Sequence, residues 1–100
     1  MMTKSEMAAK LNAVGAWLPG KTVKIDFGSE GVVLLDGVAQ AVTENDAPAD
    51  TTIKIAWDDW QLLSEGNLDP MTAFMQGKIR VDGDMSNAMQ LQGVLAKLKS

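Results

Sequence analysis

The sequence predicts an α+β domain in which a five-stranded, mainly antiparallel sheet has one apolar face covered by helices. Segments in which apolar and polar residues alternate indicate half-buried strands, whereas segments with apolar residues three and four positions apart indicate helices. Glycine, proline and helix-capping residues separate these segments in the order α-β-β-β-β-α-α-β-α. Because a chain of 100 residues is long enough for one core, we expect residues 1–100 to form a single domain.

The first predicted element is a helix that begins at the capping box Thr3-Lys4-Ser5-Glu6 and ends at Pro19-Gly20. Its apolar residues recur at spacings of four, three and four, which places them along one side of the helix: Met7, Leu11, Val14 and Leu18. We therefore expect this side to lie on an apolar surface.

Three antiparallel strands are predicted to follow one another. Thr22 to Phe27 alternates cleanly between apolar and polar residues, and a turn over Gly28 to Gly31 leads to the short apolar run Val32 to Leu35. Asp36-Gly37 is a strong signal for a two-residue hairpin loop and is followed by Val38 to Thr43.

A polar loop, residues 44–50, separates these strands from a fourth strand over residues 52–57. Asp58 is placed to cap a short helix, with Gln61 in the reciprocal capping position, and Gly66 ends this helix.

The last third of the chain carries the clearest signals for where helices and strands begin and end. Asp69-Pro70 is predicted to open a helix and Gly77 to close it. A fifth strand then spans Lys78 to Val81, and Asp84 is placed to open the final helix.

Composition excludes several classes of function. The chain has no cysteine and no histidine, so it offers no thiolate, imidazole base or usual zinc ligand. A net charge of −4 and a pI near 4.6 argue against nucleic acid as a partner. No apolar run reaches the roughly 18 residues of a membrane span, and no signal peptide is recognisable. We expect a cytoplasmic protein that has no cofactor, no stable membrane anchor and no catalytic activity.

The acidic pairs and clusters favour architecture over chemistry. Asp58 and Asp59 are adjacent, so their side chains point about 100° apart on a helix and do not share a site. Asp82, Asp84 and Ser86 imitate the start of a calcium loop, but glycine is missing at position six and glutamate at position twelve of that motif. We expect no metal site.

Two helices that flank the fifth strand carry four methionines, Met71, Met75, Met85 and Met89. Such flexible side chains suit varied apolar ligands, but plain core filling remains the more frequent role. Gln92 points toward the apolar side of the last helix, either as a core amide or as a contact for a polar head group. The other residues that form an ordinary core or line a cavity with them are Trp57, Trp60, Leu63, Phe74, Ile25, Phe27, Leu34 and Ile55.

The stretch Asp69 to Gln92 reads Asp-Pro-x-x-Ala-Phe-x-x-Gly-Lys-Ile-Arg-Val-x-Gly-Asp-Met-x-x-Ala-Met-x-Leu-Gln and resembles the sterol-carrier-protein type 2 family, the sterol transfer domain. The resemblance implies an apolar tunnel for fatty acids, fatty acyl-CoA, sterols or other lipids. It also implies that this tunnel is lined by Phe74, Met75, Met85, Met89 and Gln92. The shorter N-terminal part and the lack of a peroxisomal Ser-Lys-Leu ending favour a standalone bacterial-type lipid binder.

Two functions are therefore expected from the sequence. The first is non-catalytic binding and transport of a lipid or fatty acyl ligand, by a monomer or weak dimer that makes at most transient contact with membranes. The alternative is an interaction module with a filled core that assists a biosynthetic enzyme.

Overall fold

The computed structural model describes residues 3–95, except for the side chains at positions 64, 70, 92, 94 and 95. It confirms the α+β class and the predicted order of elements, to which it adds a short 3₁₀ turn at Gly28–Glu30. The elements are α1 (Lys4–Ala13), β1 (Thr22–Asp26), β2 (Val32–Asp36), β3 (Ala41–Thr43), β4 (Thr51–Ile55), α2 (Trp57–Ser64), α3 (Pro70–Met75), β5 (Ile79–Gly83) and α4 (Met85–Leu95).

The five strands form one mixed sheet in the order β3-β2-β1-β4-β5. Three pairings are antiparallel, as predicted, but β4 lies parallel to β1, with Ile53 beside Ile25. The sheet is therefore mainly antiparallel, as predicted, with one parallel contact that the sequence did not reveal. Since β3 and β4 run in the same direction, residues 44–50 must cross β2 and β1 between them. An ion pair of 2.8 Å between Lys24 and Asp46 ties this crossover to β1.

The main core lies between one face of the sheet and the helices. Val23, Ile25 and Leu35 on the sheet are fully buried there, together with Leu11 of α1 and Leu91 of α4. These side chains share a face because residues two apart on a strand point the same way. The helices therefore cover one face of the sheet, as the sequence predicts.

Helix α1 begins as predicted and ends earlier than predicted. The Thr3 hydroxyl accepts a hydrogen bond from the Glu6 N–H (3.1 Å), and the Glu6 carboxylate accepts one from the Thr3 N–H (3.0 Å). The helix ends at Ala13 instead of continuing to Pro19-Gly20, because Gly15 turns the chain with a φ of +66°. Leu18 is buried from the following loop and is not part of the helix.

The hairpin between β2 and β3 is longer than the predicted two-residue turn. The Asp36 carboxylate accepts hydrogen bonds from the backbone N–H groups of Val38 (3.0 Å) and Ala39 (2.9 Å). This arrangement holds residues 37–40 in a loop that ends with Gln40 at a φ of +57°. Strand β3 consequently begins at Ala41, three residues after the predicted start.

Helix α2 begins one residue before the predicted cap. Its N-cap position is occupied by Ala56, which makes no side-chain capping bond, and Asp58 lies in the first turn. The prediction that Asp58 caps this helix was therefore wrong. Trp57, predicted to end the fourth strand, is instead the first residue of α2, where its ring meets the Phe27 ring edge-on with centroids 4.9 Å apart.

In the last third of the chain, the helices begin at the predicted capping residues. The Asp69 carboxylate accepts hydrogen bonds from the Thr72 N–H (3.0 Å) and hydroxyl (3.1 Å), so it caps α3 as expected. The Asp84 carboxylate accepts bonds from the Ser86 N–H (2.9 Å) and hydroxyl (2.8 Å) before α4. Strand β5 extends to Gly83 rather than ending at Val81.

Candidate functional site

Helix α3 turns its apolar face outward. Met71, Phe74 and Met75 lie at spacings of three and four positions, which places them on one side of the helix. All three are exposed, whereas Ala73 on the other side is fully buried. A helix at the surface of a globular protein normally shows the opposite arrangement. The outward face of α3 is thus suited to be covered by something else.

Helix α4 repeats this arrangement. Asn87 and Leu91 point into the protein and are at most 2% exposed, whereas Met85 and Met89 are exposed. Both α3 and α4 pack against β5. We call the exposed set the methionine surface, and its members are between 42% and 80% exposed: Met71, Phe74, Met75, Met85 and Met89.

The start of α4 is held firmly on β4 by a buried polar network. Thr51 is fully buried, and its hydroxyl donates to the Asp84 carbonyl oxygen at 3.0 Å. The same hydroxyl accepts a bond of 3.1 Å from the Asn87 side-chain amide. Gly83 lies directly against the Asp50 carbonyl, where a Cβ would overlap that oxygen. Met85 is therefore presented from a fixed helix end.

The predicted site residues fall into a buried group and an exposed group. The buried residues belong to the main core: Ile25, Phe27, Ile55, Trp60 and Leu63. Leu34 is also buried but lies on the opposite face of the sheet, level with Lys24 of β1 and Thr43 of β3. The exposed residues form the methionine surface, so core filling does not describe the four methionines. The Gln92 side chain lies outside the described part of the structure.

Charge is distributed unevenly around the methionine surface. The first 69 residues contain five cationic and eleven acidic side chains, whereas the last 31 contain four cationic and two acidic ones. Between positions 70 and 81 the charged residues are Lys78 and Arg80, and both are exposed. Asp82 follows them and forms an ion pair of 3.3 Å with Lys54. The methionine surface therefore lies in a part of the sequence with a positive net charge, although Arg80 itself lies beside Lys54 on the face of the sheet away from the core.

One polar group in the core was not identified from the sequence. The indole N–H of Trp60 is buried and has no hydrogen-bond partner among the described residues. A buried donor without an acceptor costs about 1–3 kcal/mol. Sequence patterns showed Trp60 only as an apolar residue, because they do not show whether its N–H finds a partner.

The acidic residues play structural parts. The Ser86 hydroxyl and N–H that donate to Asp84 hold the pKa of this carboxyl below its ordinary value, as befits a helix cap. Within residues 3–95, no three histidine, cysteine or acidic side chains are grouped so that they could hold a metal ion. No helix in that range has the length and apolar character needed to cross a membrane.

Comparison with known proteins points to one family. The model of the SCP-2 sterol transfer family matches residues 3–96. Sterol carrier protein 2 of Bos taurus is 37% identical over 70 residues, which make up 67% of this chain and 13% of that protein. The chain thus spans about an eighth of the length of this curated relative.

Two solved structures extend the comparison to the fold. Sterol carrier protein 2 of Aedes aegypti in complex with palmitate aligns with a TM-score of 0.80 and 23% identity, over 99% of this chain and 100% of that one. UbiJ-SCP2, a ubiquinone synthesis protein, aligns with a TM-score of 0.70 and 15% identity, over 94% and 93% of the two chains. At these identities the structures show a shared fold.

Proposed function

This chain belongs to the SCP-2 sterol transfer family, and we propose that it binds and carries single lipid molecules without catalysing a reaction. The proposed ligands are long-chain fatty acids, fatty acyl-CoA and sterol-like molecules. The observation that carries the proposal is the methionine surface, where two helices present apolar faces outward. A relative of the same fold binds palmitate, which supports an acyl chain as ligand.

The methionine surface supplies a driving force for lipid binding. Full burial of a large apolar side chain contributes about 1.5–3 kcal/mol. Since the five residues are between 42% and 80% exposed, covering all of them contributes roughly 4–8 kcal/mol. Methionine side chains are flexible and polarizable, so they adapt to acyl chains and to flatter ring systems alike.

The acyl chain supplies enough free energy for reversible transport. Burial of about sixteen carbons contributes roughly 13 kcal/mol, and association costs at least about 4 kcal/mol. The difference corresponds to binding in the micromolar range or slightly tighter. Affinity of this order permits both loading and release.

Head-group recognition is proposed to be secondary to the tail. Lys78 comes directly after the turn that ends α3, and its positive charge suits the carboxylate of a fatty acid or the phosphates of an acyl-CoA. Arg80 lies beside Lys54 on the face of the sheet away from the core and is not part of this proposal. The unpaired Trp60 N–H is a candidate donor to a ligand oxygen. Gln92, predicted from the sequence, stays a proposed polar contact.

We also propose that the ligand itself completes the tunnel expected for this family. An empty enclosed cavity of about 300 Å³ costs roughly 7 kcal/mol, which is comparable with the whole stability of a small domain. Helices α3 and α4 are proposed to form its wall and cover, together with the buried residues Ile25, Phe27, Ile55 and Leu63. Leu34, on the opposite face of the sheet, is not part of this proposal.

A chain-length series with site variants tests the function. Saturated fatty acids of increasing length are expected to bind about fourfold more tightly per added methylene, since each contributes about 0.8 kcal/mol. The double substitution Met75→Gln and Met89→Gln is expected to weaken palmitate binding at least about tenfold, because it makes two parts of the surface polar. Val38→Gln is the matched control, since Val38 is apolar and 71% exposed but lies in the β2–β3 loop.

Binding is measured by displacement of a fluorescent fatty acid and by native mass spectrometry. If no lipid binds more tightly than about millimolar, almost none of the estimated tail energy is realised and the proposal is wrong. If the double variant and Val38→Gln lose equal amounts of affinity for palmitate, the methionine surface is not part of the binding site.

A second candidate function is that of an accessory module for a biosynthetic enzyme. It is favoured by the same exposed apolar faces, which a protein partner can also cover, and by the shared fold of a ubiquinone synthesis protein. Sedimentation of the chain together with the proteins that co-purify with it, with and without palmitate, separates the two. A complex with a biosynthetic enzyme that palmitate does not dissociate supports the accessory role, whereas a monomer or weak dimer that takes up palmitate supports the carrier.

A further inference from the structure

The methionine surface holds four of the five methionines in residues 3–95. As whole residues, Met71, Met75, Met85 and Met89 are at least 43% exposed, whereas Met7 is only 2% exposed. The chain contains no cysteine that would react with an oxidant first. A methionine side chain open to solvent can be reached by a dissolved peroxide, and its oxidation replaces an apolar thioether by a polar sulfoxide. These residues are therefore a chemically distinct group.

We propose that the methionine surface is an oxidation site at which a hydroperoxide converts these four methionines to sulfoxides and so lowers the affinity for lipid. The inference rests on the proposed lipid-binding function. It adds a modification that switches the same surface between an apolar and a polar state.

The reaction needs only the thioether and the peroxide. A sulfur lone pair attacks one peroxide oxygen, an S–O bond forms and the O–O bond breaks. The sulfur loses two electrons, and with hydrogen peroxide the second oxygen leaves as water that carries both hydrogens. Each product is a chiral sulfoxide whose oxygen accepts hydrogen bonds.

Oxidation acts strongly here because the four side chains make up most of one surface. Sulfoxides at Met71 and Met75 leave Phe74 as the remaining apolar member on α3, and sulfoxides at Met85 and Met89 make the outward face of α4 polar. An acyl chain packed on this surface then covers polar atoms that have lost their water. A bound acyl chain conversely shields the sulfur atoms.

The test treats the full chain with hydrogen peroxide, with and without palmitate, and locates each added oxygen by peptide mass mapping. We expect the four surface methionines to oxidise at least about tenfold faster than Met7, and palmitate to slow them. The oxidised protein is expected to bind a fluorescent fatty acid about tenfold more weakly, which corresponds to about 1.4 kcal/mol. Methionine sulfoxide reductases A and B together are expected to restore both mass and binding.

Two variants distinguish oxidation of the methionine surface from general oxidative damage to the protein. The chain with Met71, Met75, Met85 and Met89 all changed to leucine is expected to lose the response to peroxide, so that its affinity for fatty acid after treatment stays within twofold of its own affinity before treatment. Met7→Leu is the control and is expected to keep the full sensitivity of the wild type.

The outcomes also separate this inference from the function on which it rests. If the untreated wild-type protein binds no lipid, the proposed function itself is wrong. If the untreated protein binds lipid and the oxidised protein binds it with an affinity within twofold, the proposed oxidation site is wrong and the proposed function stands. If the fourfold variant does not fold, restoration of the wild type by the reductases decides, and failure to restore binding after the sulfoxides are reduced also overturns the proposal.

Discussion

Thr51→Val probes the buried network that fixes α4 on the sheet. The substitution keeps the shape of the side chain but removes the hydroxyl that donates to the Asp84 carbonyl oxygen and accepts from the Asn87 amide. That carbonyl oxygen still accepts the Asn87 backbone N–H at 3.2 Å. The Asn87 side-chain N–H, in contrast, loses its acceptor in a position that is only 2% exposed.

The expected cost follows from that unpaired amide. Leaving a buried donor unsatisfied costs about 1–3 kcal/mol, so we expect a loss of about 2 kcal/mol in the free energy of unfolding. For a domain of 60–100 residues this lowers Tm by roughly 8–16 °C. The double substitution Thr51→Val and Asn87→Leu removes both partners, and its cost is expected to fall below the sum of the two single costs by about 0.5–3 kcal/mol.

Urea denaturation of the wild type, both single variants and the double variant measures these energies. Thr52→Val is the matched control, since Thr52 is the next residue on the same strand and only half-buried, and it is expected to stay within about 0.5 kcal/mol of the wild type. The reasoning is refuted by a Thr51→Val variant as stable as the control, or by a double variant whose cost equals the sum of the single costs.

Three further predictions concern β5, the start of α4 and the buried side of α4. Gly83→Ala is expected to destabilise the fold by more than about 1 kcal/mol, because Gly83 has a φ of +99° and a Cβ there overlaps the Asp50 carbonyl. Asp84→Asn is expected to flatten the decline of stability as the pH falls below about 4, because it removes a carboxyl whose pKa is lower in the folded protein than in the unfolded chain. Leu91→Ala is expected to cost about 2–5 kcal/mol, since Leu91 is fully buried in the core.

The structure also supplies a control for Gly83→Ala and the direction of the pH effect for Asp84→Asn. At Gly93, inside α4 with open space around it, alanine is expected to stabilise the helix by about 0.5–1 kcal/mol, and a loss there contradicts the backbone argument. The pKa of Asp84 is lowered in the folded state, so its stabilising contribution is present above the unfolded pKa and is lost as the pH falls through the folded pKa. If the stability of the Asp84→Asn variant falls with decreasing pH as steeply as that of the wild type, the acid sensitivity arises from other groups. Tm measurements between pH 2 and 7 decide this, and urea midpoints decide Gly83→Ala and Leu91→Ala.

Short-range signals carried the accurate part of the fold prediction. The caps at Thr3, Asp69 and Asp84 involve residues two or three positions apart, so their side chains reveal the helix starts directly. Long-range features were less accessible. Alternation in residues 51–55 shows a strand but does not show that it pairs with β1, and Asp36-Gly37 signals a turn without revealing that the Asp36 side chain lengthens it.

The candidate site shows the same division. The sequence correctly placed Met71, Phe74 and Met75 in one helix between Asp69-Pro70 and Gly77, but it did not tell which face of that helix turns inward. The structure turns Ala73 inward, a small residue that lets the helix approach the protein closely. Leu34 shows a related limit, since the apolar run of β2 contains buried residues on both faces of the sheet. These outcomes depend on the partners of each element, which a single local pattern does not contain.

The parallel contact between β1 and β4 sets the order in which the chain can fold. Val23 lies beside Thr51, so residues 28 positions apart must meet before the middle of the sheet is complete. Contacts between distant residues slow folding because the loop between them must first be closed. Strand β5 pairs with β4, and α4 is anchored on β4, through contacts that are similarly distant in sequence. We therefore expect the proposed lipid site to form late, so that refolding followed by fatty-acid binding lags behind refolding followed by the Trp17 environment near α1.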